Sequence, residues 1–293
     1  MRDWPRLAAA LEQAGLRCDP AGQPRALGGG SHATWQVQSD AGRVFLKSAP
    51  AAALAMFAAE RDALLELGAA GAVRVPAPLA CLAAGGSSVL ALQWLELSPP
   101  GEAANRSFGR RLAALHRHTA PAFGWHRDNT IGATPQPNTP SDDWVHFFRR
   151  HRLRHQLELA EQNGHGAALA RDGDWLGDNL PRLFDGHRPQ PSMLHGDLWG
   201  GNWAVHDGEP VMFDPAFHYG DRECDLAMTR LFGGFSSAFY RAYEDAWPLA
   251  PGAHARVPLY QLYHVLNHLN LFGGGYLGQA RCLLARIRTS LGG

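Results

Sequence analysis

The sequence predicts an α+β chain in two lobes, a small one built on an antiparallel sheet and a larger, mainly helical one. Three observations carry that prediction. Short alternating apolar runs cluster before residue 50, and helical periodicity dominates after residue 100. Between them and the C-terminus, a hairpin signal gathers an unusual set of polar side chains. The lobes are expected to meet at a hinge near 93–97, giving an N-lobe over 1–97 and a C-lobe over 98–293.

Asp3 to Ala14 has helical spacing, with Leu7 and Leu11 on one face and Gly15 after its end. Arg25-Ala26-Leu27 then leads into Gly28-Gly29-Gly30-Ser31-His32, followed by alternating Thr34-Trp35-Gln36-Val37, a turn at Asp40-Ala41-Gly42 and Arg43 to Lys47. This reads as strand, glycine-rich loop, strand, turn, strand. Backbone N–H groups at Gly29, Gly30 and Ser31 can approach phosphates without side-chain obstruction, although three glycines alone often mean only a flexible turn. No Walker A sequence is present. Lys47 ends the strand after the loop, and the next helix, roughly Ala51 to Leu67, carries Glu60 behind Ala58-Ala59. A lysine paired to a helix glutamate keeps its ammonium aimed at nucleotide phosphates. Val73 to Pro78 is stiffened by prolines. Val89 to Leu95 reads as a buried strand, and the main chain of Gln93, Trp94 and Leu95 is the expected adenine-binding hinge.

Ala103 to His118 is a helix whose His116 and His118 face different ways, which argues against a two-histidine metal site. Phe123 to Asn138 is a long polar loop rich in glycine, proline and amides. Long loops in compact domains often carry function. Polar helices from about Gln156 to Arg188 precede the densest stretch, Pro191 to Pro215. There Met193-Leu194 enters the loop His195-Gly196-Asp197-Leu198-Trp199-Gly200-Gly201-Asn202. Trp203 to His206 and Val211 to Phe213 then flank an Asp207-Gly208 turn, a hairpin that returns Asp214 towards Asn202. Asp197 can accept a proton from a hydroxyl nucleophile, and Asn202 and Asp214 offer hard oxygens to magnesium. The spacing from Asp197 to Asn202 is that of the protein-kinase catalytic loop, and Asp214 stands where the kinase metal aspartate stands, though here as Asp-Pro-Ala. The lobes therefore read as protein-kinase-like, with ATP and magnesium between them. The plain alternative is a hairpin whose Asp and Asn only shape turns.

Further on, three acids surround Arg222 in Asp221-Arg222-Glu223-Cys224-Asp225; a helix cap with salt bridges is favoured there over a cation pocket. In the aromatic helix Tyr260 to Phe272, His264 and His268 share a face, but no glutamate follows the first histidine. Buried, hydrogen-bonded histidines fit better than zinc ligands. Lys plus Arg and Asp plus Glu both total 27, which does not favour nucleic acid or an anionic membrane as partner. Four scattered cysteines form no Cys-x-x-Cys pair, and the N-terminus is a poor signal peptide. No apolar run is long enough to span a bilayer, so a cytoplasmic protein is expected.

HGDLWGGN, with Trp199 after His-Gly-Asp-Leu, resembles the catalytic loop of the fructosamine kinases, small-molecule kinases related to aminoglycoside and choline kinases. The resemblance extends from Gly28 almost to Tyr276 and includes the Lys47–Glu60 order, which selects Glu60 over the nearby Glu66, and the passage from Phe123 to Leu153. It implies a ketosamine-3-kinase that phosphorylates the C3 hydroxyl of a ketoamine, small or protein-bound, and so promotes deglycation. On the acceptor side it points to Trp199, His195 and Asn129. An aminoglycoside- or choline-type phosphotransferase keeps the chemistry and changes the acceptor. A pseudokinase binding module would lack one of Lys47, Asp197, Asn202 or Asp214, and all four are present. The preferred sugar and amine and the oligomeric state are not fixed by these residues.

Overall fold

A computed structural model describes residues 3–28, 32–40 and 42–292. The chain divides into two units, Met1–Pro100 with Ala204–Asp214, and Gly101–Trp203 with Pro215–Gly293.

Alternation of side chains builds the first unit. Five antiparallel strands, β1 (Arg25–Ala26), β2 (Ala33–Ser39), β3 (Gly42–Pro50), β4 (Pro78–Ala84) and β5 (Ser87–Gln93), pair in the order β1-β2-β3-β5-β4. Because successive residues face opposite sides of a sheet, Val44 and Leu46 of β3 join Val89 and Ala91 of β5 on one face. That face is covered by Trp4, Leu7 and Leu11 of helix α1 (Trp4–Gln13). Leu90 and Leu92, with Phe45, take the other face against Phe57 and Leu64 of α2 (Leu54–Ala70). α2 stops at Gly71, whose φ of 64° is the left-handed turn that glycine adopts without a Cβ penalty. β3 runs three residues beyond Lys47, so the lysine sits within the strand instead of ending it. It pairs there with Thr34 on one side and Leu90 on the other.

The hairpin Trp203–His206/Glu209–Met212 forms about a turn whose Asp207 has a φ of 51°. Its residues from Ala204 group with the first unit for a visible reason. Ser98 and Val205 exchange main-chain hydrogen bonds of 2.8 and 3.0 Å, and the Met212 N–H donates to the Arg74 carbonyl at 3.0 Å.

The second unit is helical: α3 (Glu102–His116), α4 (Trp144–Phe148), α5 (His155–Gln162), α6 (Gly166–Asn179), α7 (Glu223–Thr229), α8 (Ser237–Ala246), α9 (Ala253–Phe272) and α10 (Leu277–Ser290). α4 and α5 are joined by a π-helical turn, Arg149–Arg154. α3 and α8 touch backbone to backbone at Gly109, where a Cβ would stand 2.2 Å from the Phe239 carbonyl oxygen. α9 is buried on nearly all sides, and Leu259, Leu262, Val265 and Leu266 lie at the centre of the core. Among the described residues no helix is long and apolar enough to cross a membrane.

α9 also carries one buried group that makes the fold acid-sensitive. His264 is buried, and its Nδ1 has no hydrogen-bond partner, which departs from the expected hydrogen-bonded histidine. Burial first, then the positive fields of His268 and Arg152, push its pKa down to about 3. The unfolded chain would titrate this group near its ordinary value of about 6.5. Between those values the unfolded state holds the extra proton, so stability rises with pH and is lost on acidification. His264→Gln should flatten a slope on the order of 1 kcal/mol per pH unit between pH 6.5 and 4, read from urea midpoints. Parallel slopes for the two proteins would show that His264 does not set the acid limit.

Candidate active site

The period-2 alternation of β3 that points Phe45 at α2 points Lys47 there too. Phe57 and Leu64 place Glu60 on the facing side of α2, one turn from each. Lys47 Nζ accordingly donates to Glu60 Oε1 and to Asp214 Oδ1, both at 2.6 Å. Burial alone would depress the ammonium, but the two carboxylates outweigh it and raise the lysine pKa. Glu60 is shifted upward, by burial first, with Asp214 adding to it against the pull of Lys47. Asp214 differs from its partners in keeping half of its side chain exposed. Its φ of 58° lies in the left-handed region, a conformation aspartate tolerates better than most residues and one that gathers at functional sites. Gly29, Gly30 and Ser31 lie outside the described residues. At the expected hinge, Gln93 closes β5 with its N–H on the Ala77 carbonyl at 2.8 Å. Trp94 donates from Nε1 to Glu96, and Leu95 is half-buried.

In the second unit the loop from His195 to Asn202 is folded by its own polar groups. Asn202 donates from its amide nitrogen to the Asp197 carbonyl at 2.8 Å and to Asp197 Oδ2 at 3.3 Å. That commits the nitrogen and makes the amide oxygen the atom suited to a hard cation. The loop's entry is held by a residue whose sequence context suggested only a helix cap. Asp225, on α7, accepts the N–H groups of His195 and Gly196, each at 2.8 Å, and faces His116 Nε2 at 3.2 Å. Burial would raise this carboxyl; the His116 contact and charge and the amide donors outweigh it and hold it below its usual range. The chain of contacts continues from His116 Nδ1 to the Tyr243 hydroxyl at 2.8 Å. Gly196 has a φ of 83°, and a Cβ there would lie 2.0 Å from the Ala216 carbonyl oxygen, so only glycine fits.

The polar loop 123–138 is ordered by amides. Asn129 accepts at Oδ1 from Gln136 and Asn138, at 2.8 and 2.9 Å, and donates to the Phe217 carbonyl at 2.8 Å. Gln136 donates to the Ala216 carbonyl, and the Tyr263 hydroxyl donates to Gln136 Oε1 at 2.6 Å. Arg152, fully buried in the π-helical turn, donates to the Pro137 carbonyl and to Asn138 Oδ1, both at 2.6 Å. The loop thus fixes the segment that follows Asp214-Pro215 beside Gly196.

The model of the family described as fructosamine kinase matches residues 4–290, nearly the whole chain. The chain belongs to the fructosamine kinase family. A protein of Synechocystis named as a ketoamine kinase is 46% identical over 244 residues, covering 83% of this chain and 82% of that one. A chloroplastic protein-ribulosamine 3-kinase of Oryza sativa is 38% identical over 264 residues, covering 88% and 76%. The crystal structure of a Haemophilus somnus protein that carries the name fructosamine-3-kinase superposes with a TM-score of 0.89 at 28% identity, covering 97% of both chains. The fold is protein-kinase-like, and the fructosamine kinase family makes this chain a phosphotransferase acting on hydroxyl groups.

Two of the expected acceptor-side residues, His195 and Asn129, are engaged by neighbouring groups of the chain. His195 has no exposed surface, and its Nδ1 accepts the Asp197 N–H at 3.2 Å. That contact ties the His195 ring to the loop it opens. Asn129 has both lone pairs of its amide oxygen committed to neighbouring amides, which fits loop ordering better than sugar contact. Trp199, by contrast, is 41% exposed. The acids around Arg222 are bound by side-chain and main-chain partners. Asp221 accepts from Tyr260 and faces His187, each at 2.7 Å, while Glu223 receives a two-pronged bond from Arg256 with both contacts at 2.8 Å. Arg222 lies over the Trp247 ring at 3.9 Å.

Proposed function

We propose that the chain transfers the γ-phosphoryl group of ATP to the C3 hydroxyl of a ketoamine, a sugar joined to an amine by glycation. The observation that carries this reading is the braced turn from Asp197 to Asn202, with an exposed tryptophan inside it, in a chain whose relatives are named for ketoamines and ribulosamines. Asp197 accepts the hydroxyl proton as the C3 oxygen bonds to phosphorus and ADP departs. Lys47, held by Glu60, offsets phosphate charge, and the glycine-rich stretch Gly29, Gly30 and Ser31 is assigned the same task through its backbone N–H groups. Gln93 to Leu95 present main-chain groups to the adenine. Asp214 and Asn202, each judged from its own donor chemistry, suit magnesium, which would supply Lewis-acid neutralisation of the phosphates. Trp199 stacks on the acceptor. The named relatives favour a ketoamine over an aminoglycoside or choline. The four free cysteines agree with a reducing, cytoplasmic setting.

The chemistry of the acceptor gives the test. A ketoamine enolises between C1 and C2, and a phosphate on C3 is then positioned to leave with its bonding electrons. Water hydrolyses the resulting imine, so the adduct decays to inorganic phosphate, a 3-deoxy-dicarbonyl sugar and the free amine. Incubation with ATP, magnesium and a fructosamine or ribulosamine, followed by removal of the protein, should show these products by phosphorus and carbon NMR. A stable ester at another hydroxyl would refute the C3 assignment. Turnover confined to aminoglycosides or choline would refute the ketoamine.

A further inference from the structure

Trp199 is the first of a row. Its ring meets Phe232 edge-on at 6.4 Å between centroids, Phe232 meets His268 at 4.9 Å, and His268 meets Phe272 and Tyr276 at 5.4 and 5.2 Å. Phe232 is 41% exposed and Phe272 67%, although large apolar side chains are mostly buried elsewhere in the unit. The row is built deliberately. A Cβ on Gly201 would lie 2.3 Å from the Trp199 ring, so the indole folds flat over a glycine. The loop bearing Phe232 meets the catalytic loop main chain to main chain, since a Cβ on Gly234 would be 2.6 Å from the Gly200 Cα. Two glycine contacts therefore set the first two rings, and α9 with the turn after it supplies the other three.

We infer that this aromatic row is the binding track for the amine-derived half of the acceptor, and that it selects amines bearing an aromatic or large apolar group. The inference rests on the ketoamine reading above. Its occupant follows from reach. With C3 at Asp197, a hexose extends only three carbons beyond C3, about 4 Å, whereas the row continues through successive centroid steps of 6.4, 4.9 and 5.4 Å. A sugar tail is too short and too hydroxylated to cover it. The amine sits on C1, two carbons from the reacting centre, and its substituent is the part of the substrate with both length and variable polarity. The protonated amine favours the tryptophan face, and a flat or apolar group further out favours the phenylalanine and tyrosine rings. The row begins two residues from Asp197, so the surface is continuous with the proposed site of transfer.

The test compares two fructosamines, the ethanolamine and the 2-phenylethylamine adducts of glucose. The wild-type protein should prefer the phenylethyl adduct about tenfold in kcat/KM, the worth of one well-made aromatic contact. Phe272→Ala and Phe232→Ala should bring that ratio to within about twofold of one, and Phe272→Tyr should restore it. Using the ratio cancels any general loss of activity, and Phe272 is exposed enough that its truncation leaves the fold intact. A ratio near one in the wild type, or one unchanged in both alanine variants, overturns the inference while leaving the ketoamine reading standing. Failure of both adducts overturns the ketoamine reading and this inference with it. A change of molecular mass in Phe272→Ala without a change of ratio would assign the face to a second copy of the chain, and would also overturn it.

Discussion

Asp197→Asn should lower kcat by about two orders of magnitude or more and change nucleotide affinity little. The substitution is isosteric and removes only basicity. The Asn202 amide still finds the main-chain carbonyl of residue 197 at its 2.8 Å contact, and a side-chain oxygen remains for the weaker one. The loop's entry is held through backbone N–H groups by Asp225 and is indifferent to the change. What is lost is the acceptor for the hydroxyl proton, in a step where a positioned base contributes typically 10²–10⁴-fold. The measurement is kcat at saturating ATP and acceptor, with nucleotide titration and a thermal melt as controls. A well-folded variant turning over at a near-normal rate would remove Asp197 from the mechanism.

Asp225→Asn should be damaging in a different way, costing both stability and turnover. The native carboxylate takes two main-chain N–H groups and a histidine contact with both oxygens, inside a fully buried setting. An amide offers one oxygen and turns an NH2 group towards whatever faced the other. One donor then loses its acceptor and meets another donor. Leaving a buried group unsatisfied costs about 1–3 kcal/mol, and losing a bond to a charged acceptor costs a similar amount, so a drop of about 3 kcal/mol in unfolding free energy is expected. Turnover should fall at least tenfold because residues 195 and 196 no longer fix Asp197. Urea unfolding and steady-state kinetics on one preparation read both effects. Stability within about 0.5 kcal/mol of the parent would show that the carboxylate is not the brace the geometry indicates.

What the sequence made legible follows from how local each signal is. The hairpin after Asn202 was readable because an Asp-Gly turn between apolar arms is a short-range code. Glu60 was readable as the partner of Lys47 from its order after the loop and lysine, with resemblance deciding against Glu66. β4 was not read as a strand, since Pro78-Leu79-Ala80-Cys81-Leu82-Ala83-Ala84 is rich in alanine, a residue of low strand propensity; its pairing with β5 imposes the conformation. Asp225 was visible only as one acid among three near Arg222. Its job depends on amides 29 and 30 residues away, and no spacing rule reports a contact of that range. The burial of His195 was illegible for a related reason: a histidine beside an aspartate looks the same in sequence whether its ring faces solvent or core. Asn129 stood out for its place in a long polar loop, and the amide network it joins there could not be read from the sequence. The π-helical turn at Arg149–Arg154 carries no proline or glycine to announce it, and Arg152 is buried through donors to the loop that precedes it.

The Lys47 ammonium is already clasped by two carboxylates in the folded chain. A free lysine side chain samples many rotamers, and fixing it costs about 1.5–2 kcal/mol of conformational entropy. Here that ordering is incurred once, on folding, so a phosphate that approaches the ammonium meets a group whose freedom is already spent. The consequence is a temperature signature. Phosphate recognition by this lysine should carry a smaller unfavourable entropy than recognition by a lysine that must first be gathered from solvent, and removal of Glu60 should reappear as an entropic penalty on binding.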